Sequence, residues 1–103
     1  MKIGDVAKAA GISVQTVRLY EKDGLIQKPD RTDGQTRVFR EEDVRNLILI
    51  RKLRSIGISS EEVRAILAAQ GGEPLPEDVR IGVIKMIMRR KKDLADLEAI
   101  LQP

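Results

Sequence analysis

Cysteine and histidine are both missing from the 103 residues. Without cysteine there is no disulfide framework and no thiolate metal site, which fits a reducing compartment. Without histidine as well, zinc hydrolysis, Cys–His chemistry and Ser–His triads lack their ligands and bases. The chain is therefore not expected to be an enzyme, and no cofactor or metal is expected. No apolar run is long enough to span a membrane. The opening "MKIGDVAKAAG" interrupts its apolar residues with polar ones at helical spacing, unlike a signal-peptide core. A cytoplasmic protein with no membrane partner is expected.

What is present supports a folded domain. Hydrophobic residues make up 42% of the chain, enough to bury a core. The length suits one domain, or a small domain with one extra element. The net charge is +3, unevenly spread. Residues 1–57 carry 12 Lys/Arg against 8 Asp/Glu, while residues 58–103 carry 7 against 8. The positive excess sits where a polyanion would be met, although so small an excess also arises by chance.

Along the chain, Ile3 to Ala10 reads as a short helix with Val6, Ala7 and Ala10 on one side and Gly11 as its stop. "GIS" connects it to a second helix that Ser13 caps and Gly24 ends. Two short helices joined by a tight glycine-containing turn are a helix-turn-helix signature, shared with many helical hairpins. "QKPDRTDGQTRVFR" (27–40) breaks the pattern. Pro29 favours extended backbone before it, and Asp33-Gly34 is a hairpin dipeptide. A small β-hairpin wing is expected, too short to stand alone and leaning on the helices through Val38 and Phe39. A third helix follows over residues 40–57, acidic in its first turn and basic in its last. Val44, Leu47, Ile48, Ile50 and Leu53 form its apolar face. Ser59 to Glu62 is a capping box opening a fourth helix with Val63, Ile66 and Leu67 inward. "GGEPLP" (71–76) reads as a linker, dividing a domain over residues 1–70 from a helix within residues 77–103.

That last helix covers 77–101, roughly 37 Å long. Val83, Ile87, Arg90, Leu94, Leu97 and Leu101 are spaced as a heptad seam with one charged interruption. Ile81, Ile84 and Met88 widen the apolar face near its start. One small domain does not easily cover both stripes. The economical expectation is that the seam, through Val83, Ile87, Leu94, Leu97 and Leu101, packs on the same helix of a second chain. The wider face would then pack on the chain's own domain or its partner's. Packing of the whole helix within one chain is the competing arrangement. "KMIMRRKK" (85–92) could suggest a membrane or nucleic-acid contact, but its charges are more often the solvated sides of the seam.

A second helix followed by a wing has a natural chemistry. The major groove of B-DNA admits one α-helix, whose N-terminal residues reach the base edges. Those residues are Val14, Gln15 and Thr16. Gln15 can pair with adenine, and Val14 or the Thr16 methyl can meet a thymine methyl. Arg18, Tyr20 and Lys22 suit phosphate oxygens. Arg31, Thr36 and Arg37 flank the hairpin turn, where they could grip the backbone or enter the minor groove. Any one of these basic residues is as readily a solvated surface charge. Their order along the chain carries the argument.

The series "IGDVAKAAGIS", "VQTVRLYEKDGLI", a wing, then "GQTRVFREEDVRNLILIRKLRSIGISSEEVRAIL" resembles the winged-helix DNA-binding domain of the MerR transcription regulators. "TVRLYEKDGLI" stands where that family has T-[IV]-R-[YF]-Y-E-x-x-G-L. "TRVF" stands for its Y-R-x-Y wing, and "LRSIGISSEEVRAIL" for its L-G-F-S-L-E-E-I motif. The match covers roughly residues 1–68, and the long helix after a short loop resembles the family's antiparallel dimerisation helix. The resemblance implies a mainly α fold: a winged helix-turn-helix, then a long antiparallel coiled-coil dimerisation helix. It implies DNA-backbone contacts from Arg18 and Tyr20 and a wing contact from Arg37. Leu19 and Thr36 replace frequent aromatics, and Phe39 keeps the ring of a usual Tyr without its hydroxyl. Family members are homodimers on pseudo-palindromic operators, and many distort a promoter so that RNA polymerase can use it, a form of shape readout.

The chain ends at Pro103. Metal- and redox-sensing relatives use Cys at the start of the dimer helix or in a loop after it, so thiolate sensing is not expected. The further domain of drug-binding relatives is not in this sequence. A natural minimal regulator and a shortened one both fit. Three functions are weighed. A dimeric transcription regulator is preferred. A DNA-architectural or recombination-accessory protein of excisionase type also uses small winged helices, but needs no dimer helix as a spacer. A helical protein-interaction module would not need Arg18, Tyr20 and the wing arginines.

Overall fold

The computed structural model describes residues 1–26 and 38–102. Among them five helices follow one another: α1 Ile3–Ala10, α2 Val14–Lys22, α3 Glu41–Ser55, α4 Ser60–Gln70 and α5 Glu77–Leu101. No strand occurs among the described residues. The expected hairpin wing, with Arg31, Thr36 and Arg37, lies outside them.

Side chains set the helix starts. The Thr16 N–H donates to Ser13 Oγ at 3.1 Å and opens α2. The Glu62 N–H donates to Ser59 Oγ at 3.2 Å, and the Ser59 N–H donates back to Glu62 Oε1 at 3.3 Å. Both donors would otherwise be orphaned in the first turn. Where no hydroxyl is available, a carboxylate from within the first turn serves. Asp5 accepts the Lys2 N–H at 3.3 Å, and Asp43 accepts the Arg40 N–H at 2.7 Å. Gly11 ends α1 with φ of 74°, a left-handed conformation that glycine adopts without steric cost.

One core joins all five helices. Val6, Ala7 and Ala10 come from α1, Val17 from α2, Leu47, Ile50 and Leu53 from α3, Val63 from α4 and Val83 from α5. Leu25, Ile26, Phe39 and Ile58 complete it from the connections. Fully burying side chains such as Leu47 and Ile50 contributes about 1.5–3 kcal/mol each. Phe39 and Met1 exchange backbone hydrogen bonds. The Phe39 N–H donates to Met1 O at 2.8 Å, and the Met1 amino group donates to Phe39 O at 2.9 Å. This rung sends neighbouring side chains to opposite sides. Phe39 goes in and Val38 goes out, 57% exposed. Of the two residues expected to lean on the helices, Phe39 joins the core and Val38 does not.

The long helix also differs from expectation in one respect. Val79, Val83, Met86 and Ile87 pack on the chain's own core. Ile81, Ile84 and Met88, expected against the chain's own domain or its partner's, are not covered by its own domain. Arg90, the charged interruption of the seam, donates from Nε to Ile56 O at 3.4 Å. Over the first half of α5 the seam face thus points inward, with this polar contact beside the end of α3 at its limit. Every described residue from 89 to 102 is exposed. Among the described residues no helix is long and apolar enough to cross a membrane.

Candidate nucleic-acid interface

α2 divides into two faces. Val17 is fully buried and Glu21 is 6% exposed. Opposite them, Gln15, Arg18, Leu19 and Lys22 are all exposed. These four positions have the spacing that places side chains on one side of a helix. The structure thus brings together three of the sequence-derived candidates, Gln15, Arg18 and Lys22. Val14, Thr16 and Tyr20 are half-buried, and Val14 and Tyr20 pack against the core. Their positions lie on the shoulders of the exposed face.

Thr16 has a further duty. Its Oγ1 is 2.8 Å from Ser13 Oγ, in a hydrogen bond that either hydroxyl could donate. The hydroxyl serves the cap, so the methyl is the part of Thr16 suited to a thymine methyl. The electrostatics favour an anion. α2 has no acidic residue in its first turn and Lys22 in its last. Every other helix carries acid at its start: Asp5, Glu41 to Asp43, Glu61 and Glu62, or Glu77 and Asp78. The positive end of the α2 dipole is therefore not neutralised by its own side chains.

Sequence reasoning passed over Leu19 as a surface residue. It is 51% exposed in the middle of this polar face, and the helical period alone would have placed it there. It also missed how α2 is held. Arg64 of α4 donates from Nε and Nη2 to Asp23 O at 3.2 and 2.6 Å. Arg51 of α3 donates from Nε to Ala10 O at 3.2 Å, beside the turn into α2. Each contact bridges residues 41 apart in sequence. No local pattern reveals such a pair.

A polar face on a capped second helix is what the sequence motifs implied; its anchoring by α3 and α4 is what the structure adds. Residues 1–70 match the family of MerR helix-turn-helix regulatory proteins. The chain belongs to the MerR family. It is similar to the mercuric resistance operon regulatory protein of Pseudomonas fluorescens, 34% identical over 103 residues, covering 98% of this chain and 72% of that protein. It is also similar to the transcription regulator PbrR691 from Ralstonia metallidurans CH34, whose crystal structure is a complex with lead(II). That match has 31% identity and a TM-score of 0.70, and covers 98% of this chain and 82% of that one. The fold resembles that of HiNmlR, a MerR family regulator lacking the sensor domain and bound to promoter DNA. The TM-score is 0.79 at 24% identity, with 98% of this chain and 77% of that one covered.

Proposed function

We propose that this MerR-family regulator acts as a cytoplasmic homodimer that binds a pseudo-palindromic promoter operator and distorts it, with RNA polymerase as its partner at the promoter. One observation carries this reading: Gln15, Arg18, Leu19 and Lys22 stand together on the exposed side of α2, opposite buried Val17 and Glu21. In the groove, Val14, Gln15 and Thr16 read bases at the N-terminal end of α2. Arg18, Tyr20 and Lys22 hold phosphates. Arg31, Thr36 and Arg37 follow from the wing. The promoter-bound state of HiNmlR supports the DNA partner.

Dimerisation is proposed through α5, by Leu94, Leu97 and Leu101, which are exposed on the single chain. Val83 and Ile87 continue the same stripe, where they also hold α5 on its own core. A soft metal is no part of this reading. These residues offer it no thiolate and no imidazole.

Selection of bound sequences from random DNA tests the proposal. An inverted repeat is the expected product. Enrichment of no sequence, with binding that ignores sequence, would favour an architectural, excisionase-like role instead. Arg18→Ala and Arg37→Ala should each weaken operator binding and reduce its dependence on salt by about one unit of the log–log slope, as loss of a phosphate contact does.

A further inference from the structure

Three helix ends in this fold are closed in the same way, by an arginine from elsewhere in the chain. Ala10 O, at the end of α1, accepts from Arg51 Nε at 3.2 Å. Asp23 O, at the end of α2, accepts from Arg64 Nε and Nη2 at 3.2 and 2.6 Å. Ile56 O, at the end of α3, accepts from Arg90 Nε at 3.4 Å. Each arginine comes from the helix two places further on. Each guanidinium lies over the glycine that follows the helix. A Cβ added at Gly11, Gly24 or Gly57 would meet Arg51 Nε at 4.0 Å, Arg64 Nε at 4.0 Å or Arg90 Nη2 at 3.5 Å. The negative end of a helix dipole and its orphaned carbonyls suit a guanidinium.

For α2 these contacts matter more than for its neighbours. α1 and α3 each bury three side chains, whereas α2 buries Val17 and Glu21 alone. Val14 and Tyr20 add only partly buried contacts, so packing fixes the tilt of this nine-residue helix less firmly than that of α1 or α3. α2 is about 13 Å long, so a tilt of roughly 10° about one end moves the other by ~2 Å. A recognition constellation tolerates only about 0.5 Å. Arg51 holds the carbonyl just before the turn into α2, and Arg64 holds the carbonyl at its exit.

We propose that Arg51 and Arg64 are positioning residues of the DNA interface: they set the angle of α2 from both ends and do not themselves touch DNA. This inference rests on the DNA-binding reading. A lysine at position 64 would keep the charge but lose the planar fork that delivers two N–H groups to one carbonyl. Positioning and charge therefore come apart in the conservative variant.

The test measures operator affinity of the full chain at several salt concentrations for Arg64→Lys, Arg64→Gln and Arg51→Gln, with Arg18→Ala as the phosphate-contact reference. All three positioning variants should lose at least tenfold in affinity while their salt slopes stay at the unmutated value. Arg18→Ala should lower the slope by about one. Wild-type affinity for Arg64→Lys would overturn the proposal, and so would a slope lowered by one in either glutamine variant. Backbone amide shifts of the free Arg64→Lys chain provide a readout without DNA. Changes concentrated in residues 14–22 are expected, and unchanged shifts there would overturn the positioning role. If the unmutated chain enriches no DNA sequence, the regulator reading fails, while the amide shifts still decide whether Arg64 sets α2.

Discussion

The two halves of α5 carry one heptad stripe, interrupted only at Arg90, but meet different surroundings. In the first half, Val83 is 7% exposed and packs with Val79, Met86 and Ile87 on the chain's own core. In the second, Leu94, Leu97 and Leu101 are 66%, 55% and 77% exposed. The period is the same and the residue types are similar, so local sequence does not distinguish them. What differs is whether α4 and the chain's own core lie beneath. A helical stripe thus records which residues share a face, and the remainder of the fold decides what covers it. The uncovered half exposes large apolar side chains, the usual mark of an interaction surface.

The sharpest way to break this comparison is to place the same charge in both halves. Val83→Asp puts a carboxylate among apolar neighbours and should cost about 3–5 kcal/mol of folding stability. Leu97→Asp should leave the stability of the isolated chain within about 0.5 kcal/mol of its unmutated value. Denaturant titration at concentrations where the chain is monomeric measures both, and equal losses would mean that the two halves are equally buried. Next in size is self-association. Leu94→Asp should weaken the dimer at least tenfold, about 1.4 kcal/mol, as read by sedimentation. An unmutated chain that sediments as a monomer at every accessible concentration would refute the dimer itself. A smaller change is expected at the boundary between the halves. Arg90→Ala removes the long hydrogen bond to Ile56 O and should cost about 0.5–1.5 kcal/mol. No loss on thermal melting would mean that apolar packing alone docks α5.

Much of this architecture was legible in the sequence because its signals are local. Ser13, Ser59 with Glu62, and Gly11 mark helix ends through contacts within a few residues. The buried faces of α1 and α3 follow from their spacing. The exposed polar side of α2 follows likewise, once Val17 is known to point inward. The long-range contacts were not legible. Arg51 reads as a partner for the dipole of its own helix, yet it closes α1. Arg90 reads as a flaw in a coiled-coil seam, yet it holds α5 to the end of α3. Such roles depend on which helix ends meet in space, and nothing in the neighbouring residues encodes that. Val38 failed for a related reason, since the rung between Met1 and Phe39 joins residues 38 apart.

The start of α5 gives the smallest and most local prediction. Glu77 accepts hydrogen bonds from Arg80, including one from Nε to Oε2 at 3.0 Å. That hydrogen bonding, and then the Arg80 charge, hold the Glu77 carboxyl below the usual glutamate range. A carboxylate with a lowered folded-state value stabilises the fold above its unfolded value, and the contribution disappears as pH falls through the folded value. Both side chains are solvent-exposed, so the gain is small, as for surface ion pairs generally. An NMR titration of the Glu77 side chain should show a midpoint below that of an unperturbed glutamate. Arg80→Gln should return it upward, whereas identical midpoints in the two chains would show that the pair does not persist in solution. The contact lies on the covered half of α5 but involves no core residue. The Val83 and Leu97 results should therefore be the same in either Arg80 background, which separates the chemistry of the helix start from the packing that divides the helix in two.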